Sequence, residues 1–148
     1  MKVREIMKRD VITIRKDATI EEVVHTLVDN GITSIPVVDE DNRVIGIISE
    51  KDLIYKDINP SMPANVEYLG GIIFLDGVDE YQQELKKLTA TKVEQMMSMD
   101  VITVNEEDSV NEAARILAHE HISSVPVVRG DKLVGIVSST DIVRTLIQ

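Results

Sequence analysis

Two heptads put a hydroxyl and a carboxylate at the same spacing: Gly46-Ile-Ile-Ser49-Glu-Lys-Asp52 and Gly135-Ile-Val-Ser138-Ser-Thr-Asp141. Each follows a β-branched run, so each Ser falls where a strand gives way to a helix. A carboxylate there can accept both hydrogen bonds of a ribose cis-diol. The hydroxyl and the helix N-terminus can donate to phosphate. Ser-x-x-Asp at a helix start is also a capping pair, and Asp favours the first turn. Both uses stay open on spacing alone.

Other reactive side chains are sparse. His119-Glu-His121 has the look of a chelate, but it straddles a helix end and no cysteine stands anywhere in the chain. Surface or capping roles suit these two histidines better than a metal site. His25 falls on the polar face of a helix. There is no P-loop, nucleophile elbow or HExxH, and no catalytic residue is assigned. The expectation is a non-enzyme that requires no cofactor or metal.

The elements that carry the heptads occur twice. Residues 10–38, DVITIRKDATIEEVVHTLVDNGITSIPVV, match residues 100–128, DVITVNEEDSVNEAARILAHEHISSVPVV, without a gap at an offset of 90. One residue is then lost in a turn, and the heptads match at 89. Two copies are too few for a solenoid and suggest a pseudo-two-fold pair. VITI and VITV read as strands. A helix follows, opened by the capping boxes Thr19-Ile-Glu-Glu22 and Ser109-Val-Asn-Glu112. Its apolar face is Ile20, Val23, Val24, Leu27 and Val28 in the first copy. Gly31 supplies a left-handed stop, where the second copy has His121. SIPVV and SVPVV are strands entered through proline, each with a hairpin partner, RVIGIIS or KLVGIVS. The order per copy is β-α-β-β-α, an α/β (α+β) chain with repeats at 1–57 and 91–148 and a segment at 58–90 between them. The first part of that segment, INPSMPANVEYLGGIIFLDG, reads as extended and turn-rich, with YLGGIIFL its apolar stretch, and DEYQQELKKLTA then reads as a helix.

The composition suits a soluble chain: 148 residues, 43% hydrophobic, 28% charged, net charge −10. The acidic balance argues against a nucleic-acid surface, and no apolar run reaches the roughly 18–20 residues of a membrane span. A basic start without an apolar signal region points to the cytoplasm. Charge is uneven between the copies. Residues 1–16 carry a local +4, and the matching residues 91–106 a local −2. With Lys51 inside the first heptad and Thr140 at that place in the second, the first copy is expected to be the better site for an anion.

The whole order, DVITI/DVITV, GITSIPVVD/HISSVPVVR and GIISEKD/GIVSSTD, resembles the CBS domain, and the tandem pair resembles a Bateman module. The resemblance implies two repeats packed about a pseudo-two-fold axis with two related clefts. It implies adenosine-containing ligands, AMP, ADP, ATP or S-adenosylmethionine, bound as regulatory signals, and assembly as a homodimer that reports to a regulated protein partner. Its motif falls on Val11, Ile12, Thr13, Thr33, Ser34, Ile35, Pro36, Ser49, Lys51 and Asp52 in the first copy. In the second it falls on Val101, Ile102, Thr103, Ser123, Ser124, Val125, Pro126, Ser138, Thr140 and Asp141. Ile12, Ile35 and Pro36 would pack on the base, Gly46 and Gly135 would let backbone pass close to the ligand, and each copy would build its own site. The family often has Thr where Ser49 and Ser138 stand; the hydroxyl survives. A structural or protein-interaction module with no bound nucleotide is the other reading, with residues 58–90 as its contact surface.

Overall fold

The computed structural model describes residues 1–55, 67–69, 72–74 and 91–148. The helix predicted over DEYQQELKKLTA lies outside the described residues. YLGGIIFL contributes two short antiparallel strands, β3 (Glu67–Leu69) and β4 (Ile72–Phe74), paired through Tyr68 and Ile73.

In the first repeat, α1 (Ile20–Asn30) opens with the expected reciprocal cap. Thr19 Oγ1 accepts from the Glu22 amide and the Glu22 carboxylate accepts from the Thr19 amide, both at 3.2 Å. Gly31 ends it at φ 60°, ψ 38°. Strands β1 (Ser34–Val38) and β2 (Val44–Ser49) form an antiparallel hairpin that runs into α2 (Glu50–Tyr55). In the second repeat, β5 (Val104–Asn105) lies parallel to β6 (Ser124–Arg129), and β6 is antiparallel to β7 (Lys132–Ser138), which leads into α5 (Ser139–Arg144). Helix α4 (Val110–His119) is capped by the Ser109 hydroxyl, which accepts from the Glu112 amide at 3.1 Å. The expected box is only half formed there. Glu112 holds Arg115 at 2.6 and 3.1 Å, since a charged fork is a stronger partner than one amide. His121 takes the left-handed conformation at φ 54°, which glycine adopts in the first repeat without steric cost.

The two cores are cross-stapled. Ile20, Val23, Leu27, Ile35, Val37, Ile48 and Leu53 of the first repeat enclose Val93 and Met96, from α3 (Val93–Met96) at the start of the second repeat. Ala113, Leu117, Val125, Val127 and Val137 of the second repeat enclose Val3 and Met7 from the start of the first. Main-chain bonds fix the exchange: Val3 donates to the Asp108 carbonyl and Val93 to that of Ala18, both at 2.8 Å. Lys8 then pairs with Ile136, and Ser98 with Ile47.

This exchange corrects the expected first strands. VITI yields a single parallel bridge, Ile14 to Val37, and VITV gives only Val104 to the two-residue β5. A chain that leaves one repeat at residue 8 and joins the other at residue 14 has no strand beside it in between. The two glycines are also reassigned. A Cβ at Gly46 would sit 2.6 Å from Met97 Sδ, and one at Gly135 2.5 Å from Met7 Sδ. They admit the crossing methionines rather than a ligand.

Across the pseudo-two-fold axis, Arg43 meets Asp131 at 3.3 Å and the Asn42 side-chain amide donates to the Leu133 carbonyl. Four hydroxyls pair at the opposite end of the hairpins: Thr33 with Ser123 at 3.0 Å, Ser34 with Ser124 at 2.9 Å. No helix among the described residues is long and apolar enough to cross a membrane.

Candidate functional site

Ser49 and Ser138 stand at strand ends because the hairpins stop there, and the following Asp turns back onto the first turn of α2 or α5. Asp141 Oδ2 accepts from the Ser138 amide at 2.8 Å and from its hydroxyl at 2.9 Å, while Ser138 Oγ accepts from the Asp141 amide. Asp52 Oδ2 accepts from the Ser49 amide at 2.8 Å and its hydroxyl at 3.2 Å. The capping use is therefore present in both. It does not exhaust the group, because an ionised carboxylate offers about four acceptor sites. Both carboxylates are buried, at 9% and 5% exposure, and both line a cleft. Asp141 Oδ1 faces Lys8 at 3.8 Å and Arg144 at 3.7 Å.

Each cleft is built from both repeats. The one at Asp52, about 490 Å³, joins Ser49 and Lys51 to Ile102, Ile122 and Asp100 of the other repeat. The one at Asp141, about 390 Å³, joins Ser138 and Thr140 to Val11, Ile12, Ile32 and Asp10. Thr33, Ser34, Ser123 and Ser124 line both, so the axial hydroxyls are a shared wall. Each cleft thus opposes a capped carboxylate to an isoleucine that is 37% exposed, Ile102 or Ile12. That combination can hold a flat apolar ring against the isoleucine and a hydroxylated polar group at the carboxylate.

The sequence reading grouped each carboxylate with its own repeat's first run. The structure exchanges them, for the reason that shortened the strands: residues 8–14 and 98–104 cross over. Four further residues lie elsewhere. Ile35 and Val125 are fully buried in their cores, and Pro36 and Pro126 are buried in β1 and β6, so none of them faces a base. Thr13, Val101 and Thr103 line neither cleft. The reading missed Lys8, Asp10, Ser98, Asp100 and His121. Asp10 and Asp100 were visible as an identical pair in the repeat, but only the crossover gives them a role. His121 projects from the left-handed turn at the rim of the Asp52 cleft, where its carbonyl accepts from Lys51 Nζ at 3.4 Å.

The basic start of the chain is not at the Asp52 cleft. Lys2 and Arg4 pair with Glu107, and the Lys2 hydrogen bond, with Arg4 beside it, holds that carboxyl below its ordinary range. Glu106 is likewise lowered by a fork from Arg129 at 2.8 and 3.0 Å. Lys8 lies in the Asp141 cleft. Among the described residues, no group of three His, Asp or Glu side chains could hold a metal ion.

The family model for the CBS domain matches residues 3–59 and again 93–148. The chain belongs to the CBS domain family. Protein MJ1426 of Methanocaldococcus jannaschii is 28% identical over 99% of this chain and 92% of its own length. Several other curated relatives are longer, and the chain spans less than half of each. Among solved structures, the CBS domain pair of protein MJ0100, crystallised with 5′-methylthioadenosine and S-adenosyl-L-methionine, is 26% identical. It superposes with a TM-score of 0.69 over 99% of this chain and 95% of that one. CBSX2 in complex with AMP superposes at 0.74 over 99% and 96% with 22% identity, a likeness of fold. The twin repeats, the α+β architecture and the clefts between them are those of a CBS pair.

Proposed function

We infer that the protein is a regulatory module that binds an adenosine-containing ligand, such as AMP, ADP, ATP or S-adenosylmethionine, in the clefts between its CBS repeats. The observation that carries this reading is the buried, helix-capped carboxylate of each cleft facing an exposed isoleucine from the other repeat. The carboxylate suits a ribose diol, the isoleucine one face of an adenine, and the axial hydroxyls the polar groups between. The adenosyl ligands of the MJ0100 pair support the same chemistry. Because each cleft takes walls from both repeats, a ligand bridges them and favours one relative placement, which is what a sensor needs. Self-association extends the reading: Val143, Leu146 and Ile147 stand 60–88% exposed at the end of the second repeat and favour a contact with a second copy or a regulated partner.

Calorimetry with AMP, ATP, S-adenosylmethionine, adenosine and 2′-deoxyadenosine tests the nucleoside site. Asp52→Ala and Asp141→Ala should each cost about 1.5–3 kcal/mol at their own cleft, the worth of hydrogen bonds to a charged group. The 2′-deoxy ligand should bind the parent more weakly and differ little from adenosine in the variants. Equal losses for ribose and deoxyribose ligands would leave the carboxylates as caps alone.

A further inference from the structure

The turns that end α1 and α4 have the same backbone and differ in one side chain. Gly31 and His121 hold equivalent places, both left-handed, at φ 60° and 54°. The next residue in each turn donates back to its helix, Ile32 to the Leu27 carbonyl at 3.1 Å and Ile122 to that of Leu117 at 3.2 Å. Each turn then lines a cleft: Gly31 and Ile32 the one at Asp141, His121 and Ile122 the one at Asp52. The conformation itself calls for no side chain, and a Cβ meets a steric cost there that glycine avoids. A non-glycine residue held in this region beside a cleft points to a use for its side chain. What histidine adds is a ring. The chain has three Tyr, one Phe and no Trp, and none of these is among the described residues that line either cleft. His121 therefore brings a flat π surface to a wall of aliphatic, hydroxyl and charged side chains, and the Asp141 cleft has bare backbone at that place.

We propose that His121 is a base-stacking residue of the Asp52 cleft: a purine seated there has Ile102 on one face and the imidazole on the other, and Gly31 leaves the Asp141 cleft without that ring. This rests on the nucleoside reading of the clefts and names the group that holds the second face of the base. The turn is anchored for the task, because Lys51 Nζ, from α2 of the first repeat, donates to the His121 carbonyl at 3.4 Å. The ring is thus carried by a turn tied to both repeats. Stacking acts on the π face of the base, so it is indifferent to the 5′-substituent, and adenosine and AMP gain alike. The Asp141 cleft has room for the same device: a Cβ at Gly31 would meet nothing within 4 Å.

The test is titration calorimetry on the full chain with adenosine and AMP, paired with thermal denaturation, for the parent, His121→Asn, His121→Phe and Gly31→His. Asparagine accepts the left-handed conformation but offers no ring. His121→Asn should keep the parental Tm and weaken both compounds about tenfold at the site that Asp52→Ala weakens. His121→Phe should bind within about twofold of the parent, since the ring is kept. Gly31→His should lower the Tm and tighten the other site. Parental affinity in His121→Asn, or an equal loss in His121→Phe, would overturn the stacking and leave the nucleoside sites standing. An AMP loss several times the adenosine loss would overturn it as well, since His121 would then be a phosphate contact. A parent that binds neither compound would remove both readings.

Discussion

Gly135→Ala probes the joint on which the Asp141 cleft hangs. An added Cβ would lie 2.5 Å from Met7 Sδ, 2.9 Å from Met7 Cγ and 2.9 Å from the Lys8 carbonyl oxygen. Met7 is itself buried among Val125, Val127 and Val137, so it has little room to retreat. The Lys8 carbonyl is backbone and is held by the Ile136 amide at 2.9 Å. Overpacking of this kind costs about 1–3 kcal/mol, against which the stiffer unfolded chain returns about 0.4–1. The net loss, about 1–2 kcal/mol, corresponds to a fall in Tm of about 2–8 °C for a chain of this size. The equivalent Gly46→Ala should cost less, because its nearest backbone atom, the Ser98 carbonyl oxygen, is 3.1 Å away and the rest of the clash is with a thioether. Thermal denaturation gives the order of the two variants, and amide exchange at Ile136 shows whether the crossing segment has lifted. If Gly135→Ala keeps the parental Tm and the Ile136 amide stays protected, the close approach of residues 7 and 8 to β7 is not as drawn.

Acid should weaken the same joint. The carboxyls of Glu107, bonded by Lys2 with Arg4 nearby, and of Glu106, forked by Arg129, are lowered from an ordinary value of 4.5. A lowered folded-state pKa adds stability that is complete above the ordinary value and is lost as pH falls through the folded one. Melting curves between pH 5 and about 3 should therefore fall less steeply for Glu107→Gln than for the parent; parallel curves would show that these pairs contribute nothing. Static light scattering should give about twice the 16.5 kDa chain mass at micromolar concentration, and Leu146→Asp should shift it toward one chain; a monomeric parent would remove the dimer.

Local chemistry made much of this fold readable. Thr19 and Glu22 cap one another within four residues, Gly31 ends its helix with its own backbone, and the proline-led strands are bounded by their turns. The heptads were legible for the same reason, and both uses of Ser138 and Asp141 could be named from spacing. What spacing could not show is which repeat a crossing segment joins. Val3 and Val93 look alike in the sequence, and nothing local tells that each belongs to the other half's core. Ile12 and Ile102 followed them to the wrong cleft, and the basic stretch was read beside Asp52, when Lys8 sits by Asp141. Ile35 and Val125 went astray for a different reason. Alternation marks two faces of a strand, and on β1 and β6 the interior face claims these two, leaving the neighbouring serines to the cleft.

The cross-stapled cores also have a consequence for the order of folding. As the chain is made, the first repeat emerges with the staple that belongs to its partner, and its own, Val93 and Met96, arrives only after the segment between the repeats. Val3 and Met7, made first, have no home until Val125–Val137 exists. Neither half can close its interior while the other is absent, so closure depends on contacts distant in sequence, as between Ala18 and Val93 or Val3 and Asp108. A fragment cut after the first repeat should behave as an open, sticky intermediate, whereas the whole chain should unfold in a single transition.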